Sequence, residues 1–178
     1  MTARTPWLVV IDMQVAFGDP ASGWATEGYE AIEPVVSELA GRFGDRVVWT
    51  RFVRDPGEDR EWAAYYDRWQ EFRLPETDPA WALTPSVPEG ARVVSLPTFF
   101  KWGPGLESIV GDDPLVLCGV ATECCVLGTA FAAADAGRRV TVVADACAGA
   151  TAALHAQALE LLGQLAPLVT VVTSDQLL

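Results

Sequence analysis

Apolar residues fall into short continuous runs, separated by stretches where they recur every three or four positions. Trp7-Leu8-Val9-Val10-Ile11 is one such run; it stops at Asp12 and reads as a strand buried on both faces. Residues 13–28 hold Gly18, Asp19, Pro20, Ser22 and Gly23 and read as a loop. A helix follows from Tyr29 to Phe43, with Ile32, Val35, Val36, Leu39 and Phe43 at helical spacing. Arg46 to Thr50 is a second strand. The pattern weakens from Arg51 to Pro88, where Trp62, Tyr65, Tyr66, Trp69 and Phe72 at three- and four-residue spacing predict a short helix inside a long excursion. Strands over Ala91–Leu96, Pro114–Val120, Arg139–Ala144 and Val169–Val172 then alternate with helices over Gly105–Val110, Glu123–Ala136 and Thr151–Gly163, and Gly137 suits a helix stop.

Alternation of this kind predicts a single-domain, Rossmann-like α/β/α architecture with a mostly parallel six-stranded sheet and right-handed crossovers. At 178 residues, about half of them hydrophobic, the chain suffices for one domain around one large core. No internal repeat, low-complexity tract or linker interrupts it. Such sheets place ligands beyond the carboxyl ends of their strands. Three chemically capable segments lie there: Asp12 after the first strand, Leu96–Lys101 after the third and Glu123–Cys125 after the fourth.

A formal charge of -12 changes the picture by exclusion, because no basic patch is left to neutralise phosphates, and nucleic acid is not an expected partner. The acidity itself reads as a solvated surface. The opening residues lack the apolar stretch of a signal peptide, and no segment approaches the roughly 20 apolar residues needed to span a bilayer. A cytoplasmic protein is expected, with Cys118, Cys124, Cys125 and Cys147 as reduced thiols. Without CxxC pairs and with a single histidine, a zinc site is not expected, nor any other cofactor.

Cys125 falls near the start of the helix after the fourth strand, where backbone N–H groups and the helix dipole favour a thiolate. Asp12 is placed to accept its proton, and a lysine ammonium would hold both negative charges. The alternative for any free cysteine is a small buried apolar residue, which suits Cys118 and Cys147. Cys124 faces another side of an α-helix, so only one of the two neighbours should point into the site.

These segments resemble the isochorismatase-like cysteine hydrolases, which include nicotinamidases and N-carbamoylsarcosine amidohydrolases. Val9-Val10-Ile11-Asp12-Met13-Gln14 is similar to that family's first-strand motif, with Asp12 as acid/base. Leu117-Cys118-Gly119-Val120-Ala121-Thr122-Glu123-Cys124-Cys125-Val126 is similar to its nucleophile motif and selects Cys125. Val143-Ala144-Asp145-Ala146-Cys147-Ala148, followed by His155, resembles its fifth strand and next helix. The resemblance implies a cis peptide between Val120 and Ala121, and an oxyanion hole formed by the Ala121 and Cys125 N–H groups. It implies a small amide substrate, a thioester intermediate and a homodimer or higher homo-oligomer. An isochorismatase-type vinyl-ether hydrolase and a catalytically silent scaffold are the rival readings.

Two departures matter. Aligning the family's aromatic with Trp102 puts Leu96 where its lysine belongs, and Lys101, the only lysine, stands five residues later. Either Lys101 reaches the site from the loop or it is a solvated loop residue. The family's metal ligands are also missing, since residues 50–55 read Thr-Arg-Phe-Val-Arg-Asp and no histidine precedes His155. A metal-independent enzyme is expected, with His155 a hydrogen-bonded structural residue. Phe17, Trp24, Tyr65, Trp69 and Trp102 are the expected apolar wall of the substrate pocket, and Arg51 and Arg54 are candidates for a substrate carboxylate.

Overall fold

The computed structural model describes residues 4–177. Six strands, β1 (Trp7–Ile11), β2 (Val47–Phe52), β3 (Arg92–Leu96), β4 (Leu115–Val120), β5 (Val140–Ala148) and β6 (Val169–Val172), form one sheet in the order β3-β2-β1-β4-β5-β6. Every pairing is parallel. The strand order reverses between β1 and β4, which makes the crevice beyond their carboxyl ends the place where such sheets accept ligands.

Burial follows position in the sheet. β1 and β4 are buried at every residue, because helices cover both faces, and this explains their unbroken apolar runs. The edge strand β3 is half exposed, with Val93 in solvent. Helices α2 (Tyr29–Phe43), α3 (Arg60–Arg68), α4 (Pro104–Val110), α5 (Leu127–Asp135) and α6 (Ala152–Gly163) fill the connections. A single helical turn, α1 (Val15–Gly18), lies inside the stretch expected to be all loop. Its apolar residues Ala16 and Phe17 are buried, so packing makes a helical turn where the glycines suggest none.

Two strands outrun their expected ends: β2 continues to Phe52 and β5 to Ala148. The larger difference is after β4. Thr122–Val126 is a π-helical turn, and α-helix begins only at Leu127. Upstream, Gly119 lies against Ile11 with φ +109°, where any side chain would strike the Ile11 backbone. Close approach of β1 and β4 at this point brings the residues after each strand together.

Candidate active site

Asp12 leaves β1 with φ +49°, an uncommon conformation for a residue with a side chain. That turn takes its carboxylate into the crevice, where it is wholly buried. Oδ1 accepts a hydrogen bond from Thr50 Oγ1 at 2.6 Å, and the same hydroxyl accepts the Asp12 N–H at 3.2 Å. Lys101 Nζ lies 3.1 Å from Oδ2, also wholly buried. The ammonium is out of line for a hydrogen bond to Oδ2, which keeps a free lone pair; it donates instead to Thr98 O at 2.6 Å. Lys101 is therefore not a solvated loop lysine. Its loop folds back from the sheet edge across the end of β2, and Nζ passes 4.8 Å from the Phe52 ring centroid.

The π-turn presents the cysteines. Cys124 and Val126 N–H both donate to Ala121 O, at 3.1 and 3.2 Å, and the Cys125 N–H does not join them. The Val120–Ala121 peptide is cis. Cys124 and Cys125 both line one pocket, contrary to the expectation that only one would. A π-turn rotates less per residue than an α-turn, so successive side chains diverge less. The two thiols influence each other's protonation: the neighbouring Cys124, burial and the Asp12 charge push the Cys125 thiol up, and only the Lys101 ammonium pulls it down. The two thiols titrate as a linked pair, Cys124 drawn down by its neighbour Cys125 and Cys125 pushed up, so the proton is shared across the start of this turn.

The pocket encloses about 250 Å³. Phe17, Trp24, Tyr65 and Trp69 line it as expected, joined by Phe52 and Phe99, with Cys124, Cys125 and Ala121 at its base. Trp24 is its organising ring, stacked on Phe72 at 3.7 Å and on Phe17 at 5.8 Å between centroids. Burial pushes the Tyr65 hydroxyl up to about 12, so it stays a neutral donor. Trp102 does not belong to this wall. With Lys101 turned inward, Trp102 lies outside the pocket beneath the Arg138 guanidinium, 5.4 Å from its ring centroid. Arg51 and Arg54 are likewise absent from it, paired with Glu76 at 3.3 Å and Glu58 at 2.5 Å.

Two supporting residues, Gln14 and Glu123, had no role assigned from the sequence, and a third, His155, is hydrogen-bonded as expected. Gln14, within the first-strand motif, accepts Phe52 N–H at 2.8 Å and donates to Phe52 O and Trp81 O, which locks the pocket wall to β1. Glu123 accepts Ala150 N–H at 2.9 Å and ties the π-turn to the chain after β5. His155 Nδ1 bonds Thr122 Oγ1 at 2.8 Å behind the same turn. Their signal was polarity inside apolar motifs, which marks a buried hydrogen-bonded group without naming its partner.

Among the described residues, no three His, Cys, Asp or Glu side chains come together as a metal-holding group. The segment at the end of β2 does not fit one: Thr50 is bound to Asp12, Phe52 forms the pocket wall and both arginines are engaged. The site thus holds a thiol, a carboxylate with an open lone pair and a fixed positive charge below an apolar pocket.

The parallel α/β fold is shared with solved hydrolases. The family model for the isochorismatase domain matches residues 6–176, and the chain belongs to the isochorismatase family of hydrolases. Isochorismatase domain-containing protein 2 of Rattus norvegicus is 38% identical over 73 residues, a match spanning 36% of this chain and 34% of the rat protein. A cysteine hydrolase from Pseudomonas syringae pv. phaseolicola 1448A superposes with a TM-score of 0.83 at 18% identity, covering 97% of this chain and 90% of that one. The pyrazinamidase of Pyrococcus horikoshii, solved in complex with zinc, gives 0.76 at 25% identity over 94% and 98%.

Proposed function

We propose that the protein is a metal-independent cysteine hydrolase that cleaves the C–N bond of a small, linear amide or carbamoyl compound through a thioester. The observation that carries this reading is the buried Lys101–Asp12 pair, 3.1 Å apart, supplied by the chain's only lysine from a loop. Holding both ions out of water costs several kcal/mol per ion (roughly), and a role in proton transfer beside the nucleophile accounts for that cost.

In the cycle, the carbonyl of the substrate settles over Cys125. The thiol proton passes to Asp12 as Sγ attacks the carbonyl carbon, and the Ala121 and Cys125 N–H groups receive the charge on oxygen. Asp12 returns that proton to the leaving nitrogen, the C–N bond breaks and an amine or ammonia departs. Water then gives a proton to Asp12 and attacks the thioester; the acid is released and the thiol regains its proton. The residues at the end of β2 are engaged in other contacts and do not fit a metal ion, so the proposed cycle uses none.

The pocket's shape supports a flat, neutral acyl group. Its lining is aromatic and contains one ionisable carboxylate, Glu123, but no arginine or lysine. A vinyl-ether substrate of the isochorismatase type carries carboxylates and would find no counter-charge there. We also read the protein as cytoplasmic and homo-oligomeric, without nucleic-acid partners, on its free thiols, its net charge of -12 and the exposed Phe100, Phe131 and Leu161. Among the described residues no helix is long and apolar enough to cross a membrane.

A panel of aromatic and aliphatic primary amides and carbamoyl compounds, scored by ammonia release, tests the proposal. Turnover should appear for uncharged flat amides, disappear in Cys125→Ala and persist after chelation. A 1:1 acyl adduct on Cys125 should be visible by mass spectrometry under acid quench. Hydrolysis that survives Cys125→Ala would overturn the thioester route.

A further inference from the structure

The lysine of this site arrives from an irregular loop; its ammonium donates to Thr98 O within that loop, a bond that travels with the loop and does not register it against the rest of the fold. Residues 97–103 contain no helix or strand. The Thr98 hydroxyl, which donates to Phe100 O at 3.0 Å, ties the loop only to itself. Two contacts tie it to the nucleophile helix. The Lys101 N–H donates to Thr129 Oγ1 at 2.9 Å, a buried hydrogen bond between residues far apart in the chain. The Phe100 ring lies over Gly128, where even a methyl group would overlap ring atoms. Both partners belong to α5, which directly continues the π-turn that carries Cys125.

We infer that Gly128 and Thr129 are positioning residues that register the Lys101 loop against the nucleophile helix, so that one contact fixes the ammonium relative to both Asp12 and Cys125. The inference rests on the proposed role of Lys101 and adds how that role is secured. Gly128 acts by lacking a side chain, which lets the loop approach; Thr129 acts by giving the Lys101 backbone its hydrogen-bond partner. A lysine on a strand would need neither, because sheet hydrogen bonds would hold its backbone. Here the backbone amide of the lysine itself is the anchored atom, one residue from the ring that occupies the glycine notch. Phe99, the third member of the run, belongs to the pocket wall and stacks 5.8 Å from Phe52. The loop therefore couples pocket, ammonium and nucleophile helix through three consecutive residues.

The reporter is the pH midpoint of Cys125 alkylation by iodoacetamide, followed residue by residue by mass spectrometry, which needs no substrate. The groups that act on this thiol are Asp12 after β1, Lys101 from the loop, Cys124 beside it and Tyr65 from α3. Of these only Lys101 favours the thiolate, so loosening it moves the midpoint upward. Lys101→Met sets the full scale, a rise of about 1 pH unit. Thr129→Val should raise the midpoint by about half a unit and Gly128→Ala by at least as much, while Thr129→Ser stays at the wild-type value. Circular dichroism checks that each variant folds. A substitution that merely loosened the core would affect Thr129→Val and an equally buried control, Ala133→Gly, alike; the control should leave the midpoint in place.

Wild-type midpoints in both Thr129→Val and Gly128→Ala would overturn the inference, as would a Thr129→Ser shift equal to that of Thr129→Val. An unmoved midpoint in Lys101→Met would instead defeat the role of Lys101 on which the inference rests. Absence of amide turnover with the predicted midpoint shifts would defeat the proposed reaction and leave the seating of the lysine established.

Discussion

Neutralising Asp12 and Lys101, singly and together, separates what the buried pair does for stability from what it does for chemistry. Both side chains are wholly buried, with Nζ 3.1 Å from Oδ2. At an effective dielectric constant of about 20, unit charges at that separation attract by about 5 kcal/mol. Removing two ions from water costs several kcal/mol (roughly) for each, which offsets most of that attraction. The pair's net contribution is therefore small, whereas stranding either charge costs roughly 3–5 kcal/mol. Domains of ordinary stability have about 5–15 kcal/mol in total, so Asp12→Asn and Lys101→Met should each unfold at much lower urea concentration. The double variant should regain most of the loss. Turnover behaves differently, because the double variant restores neither an acid/base group nor a positive charge. Amide hydrolysis should fall by about 10²–10⁴-fold in Asp12→Asn and stay there in the double variant. Urea unfolding followed by tryptophan fluorescence gives the stabilities, and ammonia release from the same preparations gives the rates. If the two single losses simply add in the double variant, the groups are not paired and the reasoning is refuted.

Four further outcomes follow from the site. Iodoacetamide labelling of Cys125 should climb toward alkaline pH with a midpoint above the free-thiol value of about 8.5, because its thiol is pushed up; an acidic midpoint would contradict this. Cys118 and Cys147 should label far more slowly, since both are wholly buried and burial raises both thiols, that of Cys147 to about 12. Trp24→Ala deletes the ring at the centre of the pocket wall and should cost about 3–5 kcal/mol of stability by urea titration, with KM raised more than kcat is lowered. For His155, burial lowers the folded pKa below its unfolded value of about 6.5. Its contribution to stability is thus present above that value and is lost as pH falls through the lowered one. The urea midpoint of His155→Gln should decline less than that of the wild type between about pH 7 and about pH 5; an equal decline would assign the acid sensitivity elsewhere.

What could be read from the sequence depended on whether a residue's role is local. β1 and β4 are covered on both faces, so their runs are unbroken and the residues that end them, Asp12 and Ala121, could be located at once. Helix α2 presents one buried stripe and announced itself by spacing, and its ends match the expected Tyr29 and Phe43. The π-turn could not be found this way, because hydrogen bonding to the fifth residue back leaves no separate hydrophobic period. The fate of Lys101 was equally hidden: its loop is placed by Gly128 and Thr129, nearly thirty residues away, and by a ring on β2. Trp102 was misassigned for the same reason. Adjacent loop residues point in opposite directions, so placing Lys101 inside puts Trp102 outside. Phe52 and Phe99 join the pocket only through tertiary contacts and carry no local mark.

A protonated resting nucleophile raises the question of how Cys125 ever attacks, and charge bookkeeping across the site supplies an answer. At rest, the proposed site holds a neutral thiol, an Asp12 carboxylate and a Lys101 ammonium, and its net charge is zero. After proton transfer it holds a thiolate, a neutral carboxyl group and the same ammonium, and the sum is still zero. Beside a carboxylate and an ammonium that are both wholly buried, a step that changed the net charge would meet a large desolvation penalty, while one that moves charge over a short distance beside a fixed cation meets little of it. Burial, the neighbouring Cys124 and the Asp12 charge favour the protonated Cys125 thiol, and Lys101 sits where it favours whichever neighbour is negative. Seen this way, a raised thiol and an effective nucleophile do not conflict. The enzyme need not maintain a thiolate; it needs a proton acceptor with an open lone pair and a cation that does not move. Asp12 Oδ2 is the first and Lys101, held by Thr98 O, is the second.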